Sequence, residues 1–275
     1  MEPFVLAADR AQDAALLSLA SWSKRDGLTA GFTLRGGGVS EAPWRSLNTA
    51  LHVGDDPEHV IRNRRKVADA LGWDFEAWTC AEQVHGNRVH VVTRMDRGKG
   101  RESRETAIPG ADALITDEPD VLLTMFFADC VPLYFYDPDT NALGLAHAGW
   151  KGTVADVAGA TVRAMAETYG TRPHRLLAAI GPSIGACCYE VDDAVLRHVR
   201  PLEDGERFAN PTAESRAKLN LKQLNRHLMI KAGILASRIE MSSWCTSCRT
   251  DLFFSHRAEN GSTGRMMSWL GRKSG

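Results

Sequence analysis

His85, Cys130 and His147 are the residues of this 275-residue chain whose types suit joint metal binding. Each stands at or just past the end of a stretch that reads as a strand. His85 closes Trp78 to His85, Cys130 follows the apolar run Val121 to Ala128, and His147 follows Ala142 to Ala146. Strand ends can converge in space. Two imidazoles and a thiolate suit zinc, and three protein ligands leave the fourth tetrahedral position free for water or substrate, as catalytic zinc requires. The plain alternative is a buried thiol and two hydrogen-bonded histidines, because cysteine is among the most buried residue types. Gln83 and Asp129, polar groups beside the candidate ligands in otherwise apolar segments, are expected as outer-shell partners.

Three further places carry chemical potential. In the turn His147-Ala-Gly-Trp-Lys-Gly, Gly149 and Gly152 permit close backbone approach and Lys151 adds positive charge ahead of a helix, which suits an anion such as phosphate. It lacks the glycine, lysine and hydroxyl spacing of a P-loop, and an ordinary tight turn with an exposed lysine reads equally well. Cys245-Thr-Ser-Cys248 is half of a zinc site or a redox pair; with no second pair at a suitable spacing it reads as structural, and Cys187 and Cys188 read as packing residues. Arg64 shares the apolar stripe of a helix with Val60, Val67 and Leu71, so its guanidinium points into the fold and is expected to meet an anion there.

The elements that must position these residues follow from local signals. Asp56 as N-cap and Pro57 at the first helical position open a helix that runs to about Leu71 and stops at Gly72. Trp78 to His85 and Arg88 to Thr93 flank Gly86-Asn87, a hairpin signal, and two-residue alternation puts Gln83 and His85 on one face. Strands are expected at Val121 to Ala128, Leu133 to Tyr136, Ala142 to Ala146, Leu176 to Ile180, and near Ile239 and Met266. Helices are expected from Thr153 to about Tyr169, with Asp156 completing a capping box and Gly170 ending it, near Asp192 to Val199, and from Leu221 to Ala232. Arg94 to Thr106, polar and without apolar periodicity, reads as a solvated loop. Alternating strands and helices without a linker predict an α/β (α+β) fold, a layered sandwich of mixed β-sheets covered by helices, as a single domain over residues 1–275.

Composition sets outer limits. Hydrophobic residues make up 44% and charged residues 24%, and 33 Lys plus Arg balance 34 Asp plus Glu, so no nucleic-acid or membrane partner is indicated. No obligate protein partner is expected either. The N-terminus sets Glu2 and Asp9 around a short apolar patch without a basic region, unlike a secretory signal, so a cytoplasmic protein with free or metal-bound cysteines is expected. Val121 to Tyr136, interrupted by Asp129 and Pro132, is shorter than the ~20 residues of a membrane span. There is no internal repeat.

Several motifs coincide in order with one known family. Ser46-Leu-Asn48, Glu82-Gln-Val-His-Gly86, Phe127-Ala-Asp-Cys130, Ala146-His-Ala-Gly-Trp-Lys-Gly152 and the run Ala179 to Val191 resemble the laccase-domain family, also called multicopper polyphenol oxidase or peptidoglycan editing factor, from about Gly31 to Leu270. The resemblance implies a single domain of sheets layered between helices, and purine nucleoside phosphorylase activity on adenosine, inosine, guanosine and methylthioadenosine with phosphate, together with adenosine deamination. It implies one zinc on His85, Cys130 and His147, which would also be the catalytic set. It implies a nucleoside pocket at Asn48 and Arg64, with basic residues near the end of the chain at His256 and Arg257. Lys151 stands where many relatives carry arginine, which counts against a bidentate phosphate contact there. Gln83 and Lys151 complete the expected substrate-binding set.

Rival readings predict different things. A copper-dependent oxidase of phenols needs several metal centres and clustered histidines, whereas nine histidines are scattered here. A Cys-His hydrolase acting on cell-wall amides would use Cys130 as nucleophile and His147 or His85 as base, and need no metal. A zinc-stabilised binding module would close its metal site with four ligands.

Overall fold

The computed structural model describes residues 1–6 and 14–274; the part of the N-terminal reading that rests on Asp9 lies outside the described residues. Two six-stranded sheets lie face to face. Across the first, the strands run Phe4–Leu6, Leu16–Leu19, Leu28–Thr33, Met266–Arg272, Leu122–Phe127 and Trp78–Cys80. Across the second they run Ile239–Met241, Leu177–Ile180, Val131–Tyr136, Leu143–Ala148, Ala113–Thr116 and Val89–Val91. Both sheets are mixed: the first is antiparallel except for the parallel pair of Trp78–Cys80 with Leu122–Phe127 at one edge, and the second has a parallel pair at each edge and antiparallel pairs within. A small third sheet joins Glu190–Asp192, Arg216–Leu219 and Ala209–Ala213.

Strand alternation sorts the side chains into layers. Leu123, Met125 and Phe127 of the first sheet meet Tyr134, Tyr136, Leu143 and Leu145 of the second in the central core. On the outer face of the first sheet, Leu122, Phe126 and Trp269 pack against Val67 and Ala68 of the helix Pro57–Leu71. On the outer face of the second, Leu133, Phe135 and Ala146 pack against Val162 and Met165 of Val157–Tyr169 and Leu224 of Leu221–Lys231. The order helix, sheet, sheet, helices is the layered sandwich expected from the sequence. Among the described residues, no helix is long and apolar enough to cross a membrane.

The first helix has the expected bounds. Asp56 accepts a hydrogen bond from the Glu58 amide, and Gly72 ends the helix with φ 66°, in the left-handed region. Other expectations are corrected. Gly86-Asn87 does not close a hairpin: Trp78–Cys80 belongs to the first sheet and Val89–Val91 to the second, so the dipeptide lies on a crossing between sheets. The helix expected from Thr153 is two, Trp150–Val154 and Val157–Tyr169, because Asp156 adopts φ 58° and caps the second by accepting from the Gly159 amide. Arg94 to Thr106 is not simply solvated, since Asp96, Gly98 and Gly100 within it are buried.

Arg64 is also corrected in its partner. It is 1% exposed, yet it meets backbone carbonyls rather than an anion: Nε donates to Thr49 O at 2.7 Å, and Nη1 to Gly100 O and Arg101 O at 2.7 and 2.8 Å. Its guanidinium lies over the rings of Phe126 and Trp78, which attract the cation. Arg64→Met therefore leaves Thr49 O and Arg101 O without their side-chain donor and Gly100 O with only the Cys80 thiol, and a loss of about 3 kcal/mol in unfolding free energy is expected. Urea denaturation measures it; an unchanged midpoint with lost turnover would instead favour a direct substrate contact.

Candidate functional site

His85, Cys130 and His147 converge where the chain crosses between the two sheets. Cys130 lies on the connection from Leu122–Phe127 to Val131–Tyr136, turned by Asp129 at φ 82°. His85 lies on the connection from Trp78–Cys80 to Val89–Val91; it does not end a strand, and its φ is 62°. His147 lies within Leu143–Ala148, on the same face as Leu143 and Leu145, and so projects between the sheets beside Phe127. One ligand atom from each of the three lies within 4.8 Å of the others, and the two imidazoles meet edge to face with centroids 4.7 Å apart. Gly149 makes room for this: a Cβ there would stand 3.0 Å from His85 Cδ2 and 3.1 Å from Cys130 Sγ.

Asp112 holds the arrangement from behind. Fully buried, it stands just ahead of the Ala113–Thr116 strand, next to His147 on the neighbouring strand. Its Oδ1 pairs with His147 Nδ1 at 2.8 Å and accepts the His85 amide at 2.9 Å, while Oδ2 accepts the amides of Gly86 and Val84 at 2.7 and 3.1 Å. One carboxylate thus fixes the His147 ring, leaving Nε2 for a metal, and shapes the loop that carries His85. Burial acts to raise its pKa, but the His147 hydrogen bond and the Gly86 amide outweigh burial and lower it. A lone aspartate in the apolar run Ala111 to Ile115 was the only signal in the sequence, and nothing local linked it to residues 85 or 147. Asp112→Asn removes the charge that orients and polarises His147, so zinc affinity is expected to fall roughly 10–100-fold. Competition with a chromophoric chelator measures this; unchanged affinity would deny Asp112 that role.

Without a metal, Cys130 and His147 polarise each other. Burial opposes a thiolate, but His147 and His85 outweigh it and lower Cys130 to about 6. Burial likewise opposes an imidazolium, while Cys130 and Asp112 raise His147 to about 9. A thiolate and two imidazoles, one of them backed by a carboxylate, form a donor set that fits zinc.

The three residues open onto a cavity of about 520 Å³, within the range for small-molecule sites, whose walls include Phe126, Trp150, Ile184 and Tyr189. Its other walls carry Lys151, His256, Arg257, Arg265 and His52 against the single carboxylate of Asp129. A second cavity of about 240 Å³, lined by Arg64, Glu82 and Arg104, shares His52, Gln83 and Phe126 with it. Withdrawal from bulk water in the cleft, then the guanidiniums of Arg265, Arg104 and Arg64, lower His52 to about 4, so its imidazole is neutral at neutral pH. His52, Arg104 and Arg265 carried no sequence motif that marked them, and Tyr189 falls within the run Ala179 to Val191 without being singled out there.

The other expected site residues fall in different places. Lys151 lines the larger cavity. Asn48 is fully buried and lines neither cavity; its Oδ1 accepts the amides of Ala50 and Arg265, and its Nδ2 donates to Ala50 O and Asp55 Oδ2. It acts one residue behind the cavity, seating the backbone of Arg265. Gln83 lines both cavities, but its amide exchanges two hydrogen bonds with the Phe126 backbone and does not back a metal ligand. Asp129 is likewise no outer-shell partner: its carboxylate accepts from Thr246 Oγ1, Ser255 Oγ and the Arg257 amide, and so ties the cysteine turn to the basic segment.

Comparison with known proteins places the chain in a family. The sequence pattern of the family described as multi-copper polyphenol oxidoreductase laccase matches residues 29–273. A Bacillus subtilis protein named purine nucleoside phosphorylase YlmD is 46% identical over 245 residues, covering 89% of this chain and 88% of that one. A protein of the same name from Geobacillus stearothermophilus is 46% identical over 249 residues, covering 90% and 91%. The crystal structure of Bacillus licheniformis hypothetical protein YfiH superposes with a TM-score of 0.94 at 46% identity, over 99% of this chain and 100% of that one.

Proposed function

The chain belongs to the multi-copper polyphenol oxidoreductase laccase family, and from that membership we propose that it is a zinc-dependent purine nucleoside phosphorylase that also deaminates adenosine. The observation that carries the reading is the His85, Cys130 and His147 cluster opening onto a cation-lined cavity of nucleoside size. The names of the Bacillus and Geobacillus relatives support the same reaction here. We extend it to adenosine, inosine, guanosine and methylthioadenosine.

In phosphorolysis a phosphate oxygen attacks the anomeric carbon, the bond to the purine nitrogen breaks, and the base leaves with a proton as ribose 1-phosphate forms. Lys151, Arg257 and Arg265 are suited to hold the phosphate and neutralise its charge against the sugar. Phe126, Trp150 and Tyr189 offer flat faces for a purine. Asn48 seats Arg265, and Arg64 anchors the Gly100 and Arg101 backbone beside the smaller cavity, so both serve the substrate through the walls they hold. When bound, zinc supplies Lewis acidity and an activated water, which deamination of adenosine to inosine and ammonia requires.

The donor set favours zinc over copper. Two histidines and a cysteine also bind copper in electron-transfer centres, but there a weak axial methionine is usual, and among the described residues no methionine lines this cavity. A metal-free reading is favoured by one observation, the lowered Cys130 beside a raised His147, which is the pattern of a Cys-His nucleophile. A covalent substrate adduct on Cys130 would establish it. The proposal includes a cytoplasmic setting, where both co-substrates are available, and one domain over residues 1–275, supported by the continuous packing of the two sheets. It requires no nucleic acid, membrane or protein partner. Omission of phosphate tests the proposed reaction.

A further inference from the structure

Four cysteines that the proposed reaction does not use lie together on the far side of the cavity wall. Cys187 and Cys188 come from the loop after Leu177–Ile180, and Cys245 and Cys248 from the turn after Ile239–Met241. The pairs are distant in sequence, which is why spacing alone assigned Cys187 and Cys188 to packing. In the fold all four sulfurs lie within 4.8 Å of one another, and Cys248 Sγ stands 3.5 Å from Cys187 Sγ and 3.3 Å from Cys188 Sγ. All four are free.

We propose that Cys187, Cys188, Cys245 and Cys248 bind a second zinc ion, in a closed structural site separate from the His85, Cys130 and His147 centre. Zn–S bonds of about 2.3 Å in a tetrahedron set sulfurs about 3.8 Å apart, close to the separations seen, whereas a disulfide needs about 2.05 Å. Cys248 approaches two partners at similar distance, as a shared ligand does and a disulfide half does not. The surroundings suit the negative charge of four thiolates around one dication. The Gly185 amide donates to Cys245 Sγ at 3.2 Å. The ammonium of Lys222, held by the carbonyls of Ser242 and Trp244 at 2.9 Å each, interacts electrostatically with Cys245 and Cys187.

The site joins two segments that continue from the parallel strands Leu177–Ile180 and Ile239–Met241 and meet again at the bridge between Ser183 and Cys245. Both lead to the cavity. Ile184 and Tyr189 line it from the first segment, and Arg257 reaches back to the Glu190 carbonyl at 2.8 Å. From the second, Thr246 Oγ1 donates to Asp129 Oδ1 at 2.6 Å, next to Cys130. With four protein ligands the second zinc has no open position, so its role is to clamp this wall.

The test loads reduced full-length protein with excess zinc, removes unbound metal and counts what remains. The expected result is about two zinc ions per wild-type chain, one in Cys130→Ser and one in Cys248→Ser. If Cys248→Ser does not fold, Cys130→Ser carries the test. It retains one zinc, that zinc protects four thiols from alkylation, and its cobalt form shows strong thiolate-to-metal charge transfer. Wild-type protein with a single zinc that Cys130→Ser loses would overturn the proposal, as would a disulfide among these four cysteines in the reduced, zinc-loaded protein. Because the variants separate the two centres, failure here does not touch the proposed catalytic metal.

Discussion

With phosphate replaced by an inert buffer, release of free base from adenosine and inosine is expected to stop while adenosine still turns into inosine. In the proposed function the two reactions share a cavity and differ in nucleophile. Base release needs an anion delivered to the anomeric carbon, and the cavity answers that need with Lys151, His256, Arg257 and Arg265 facing one carboxylate. Deamination needs only water at the purine ring, so it survives the loss of phosphate. Chromatography of base, nucleoside and sugar phosphate separates the outcomes. Free ribose formed at the same rate without phosphate would identify a hydrolase, and turnover of phenols without any nucleoside cleavage would return the reading to oxidase chemistry.

Cys130→Ser is expected to lose the proposed catalytic zinc and, with it, both proposed nucleoside activities. A serine hydroxyl stays protonated and is a poor zinc ligand, and two histidines alone leave the ion weakly held. Loss of the several kcal/mol that a metal contributes to charge stabilisation corresponds to roughly a 10³-fold fall in kcat/KM. The fold should tolerate the change, because Cys130 lies on a crossing connection and its replacement differs by one atom. Metal analysis beside kinetics decides the matter: a variant that keeps its zinc but not its activity would point to a nucleophilic thiol, and one that keeps both would remove Cys130 from the site.

Much of this was legible without coordinates. The helix Pro57–Leu71 was marked at both ends by residues whose conformational preferences are local, Asp56 with Pro57 and Gly72. The apolar runs around residues 122, 133 and 143 had to be buried strands, and the three metal-ligand candidates stood out because their side chains are suited to that chemistry. The errors share a physical origin. Gly86-Asn87 carries the local chemistry of a hairpin turn, yet its flanks pair with Leu122–Phe127 and Ala113–Thr116, strands of two different sheets that lie far along the chain. Gln83 and Asp129 stand beside ligands in sequence but spend their hydrogen bonds on Phe126 and on the segment from Thr246 to Arg257.

The sequence by itself determined which side chains were available for metal and anion chemistry and where local signals start and stop helices, since these depend on residue type and on neighbours a few positions away. Only the tertiary structure decided who stands behind them. Asp112 reaches His147 across 35 positions because neighbouring antiparallel strands set Ala113 opposite Ala146. Arg64 meets carbonyls 36 and 37 positions on, and Cys187 meets Cys248 across 61, where the parallel strands Leu177–Ile180 and Ile239–Met241 bring their loops together. Strand pairing and layer packing bring distant segments within hydrogen-bond and ligand distance, and no local pattern of residues encodes that separation.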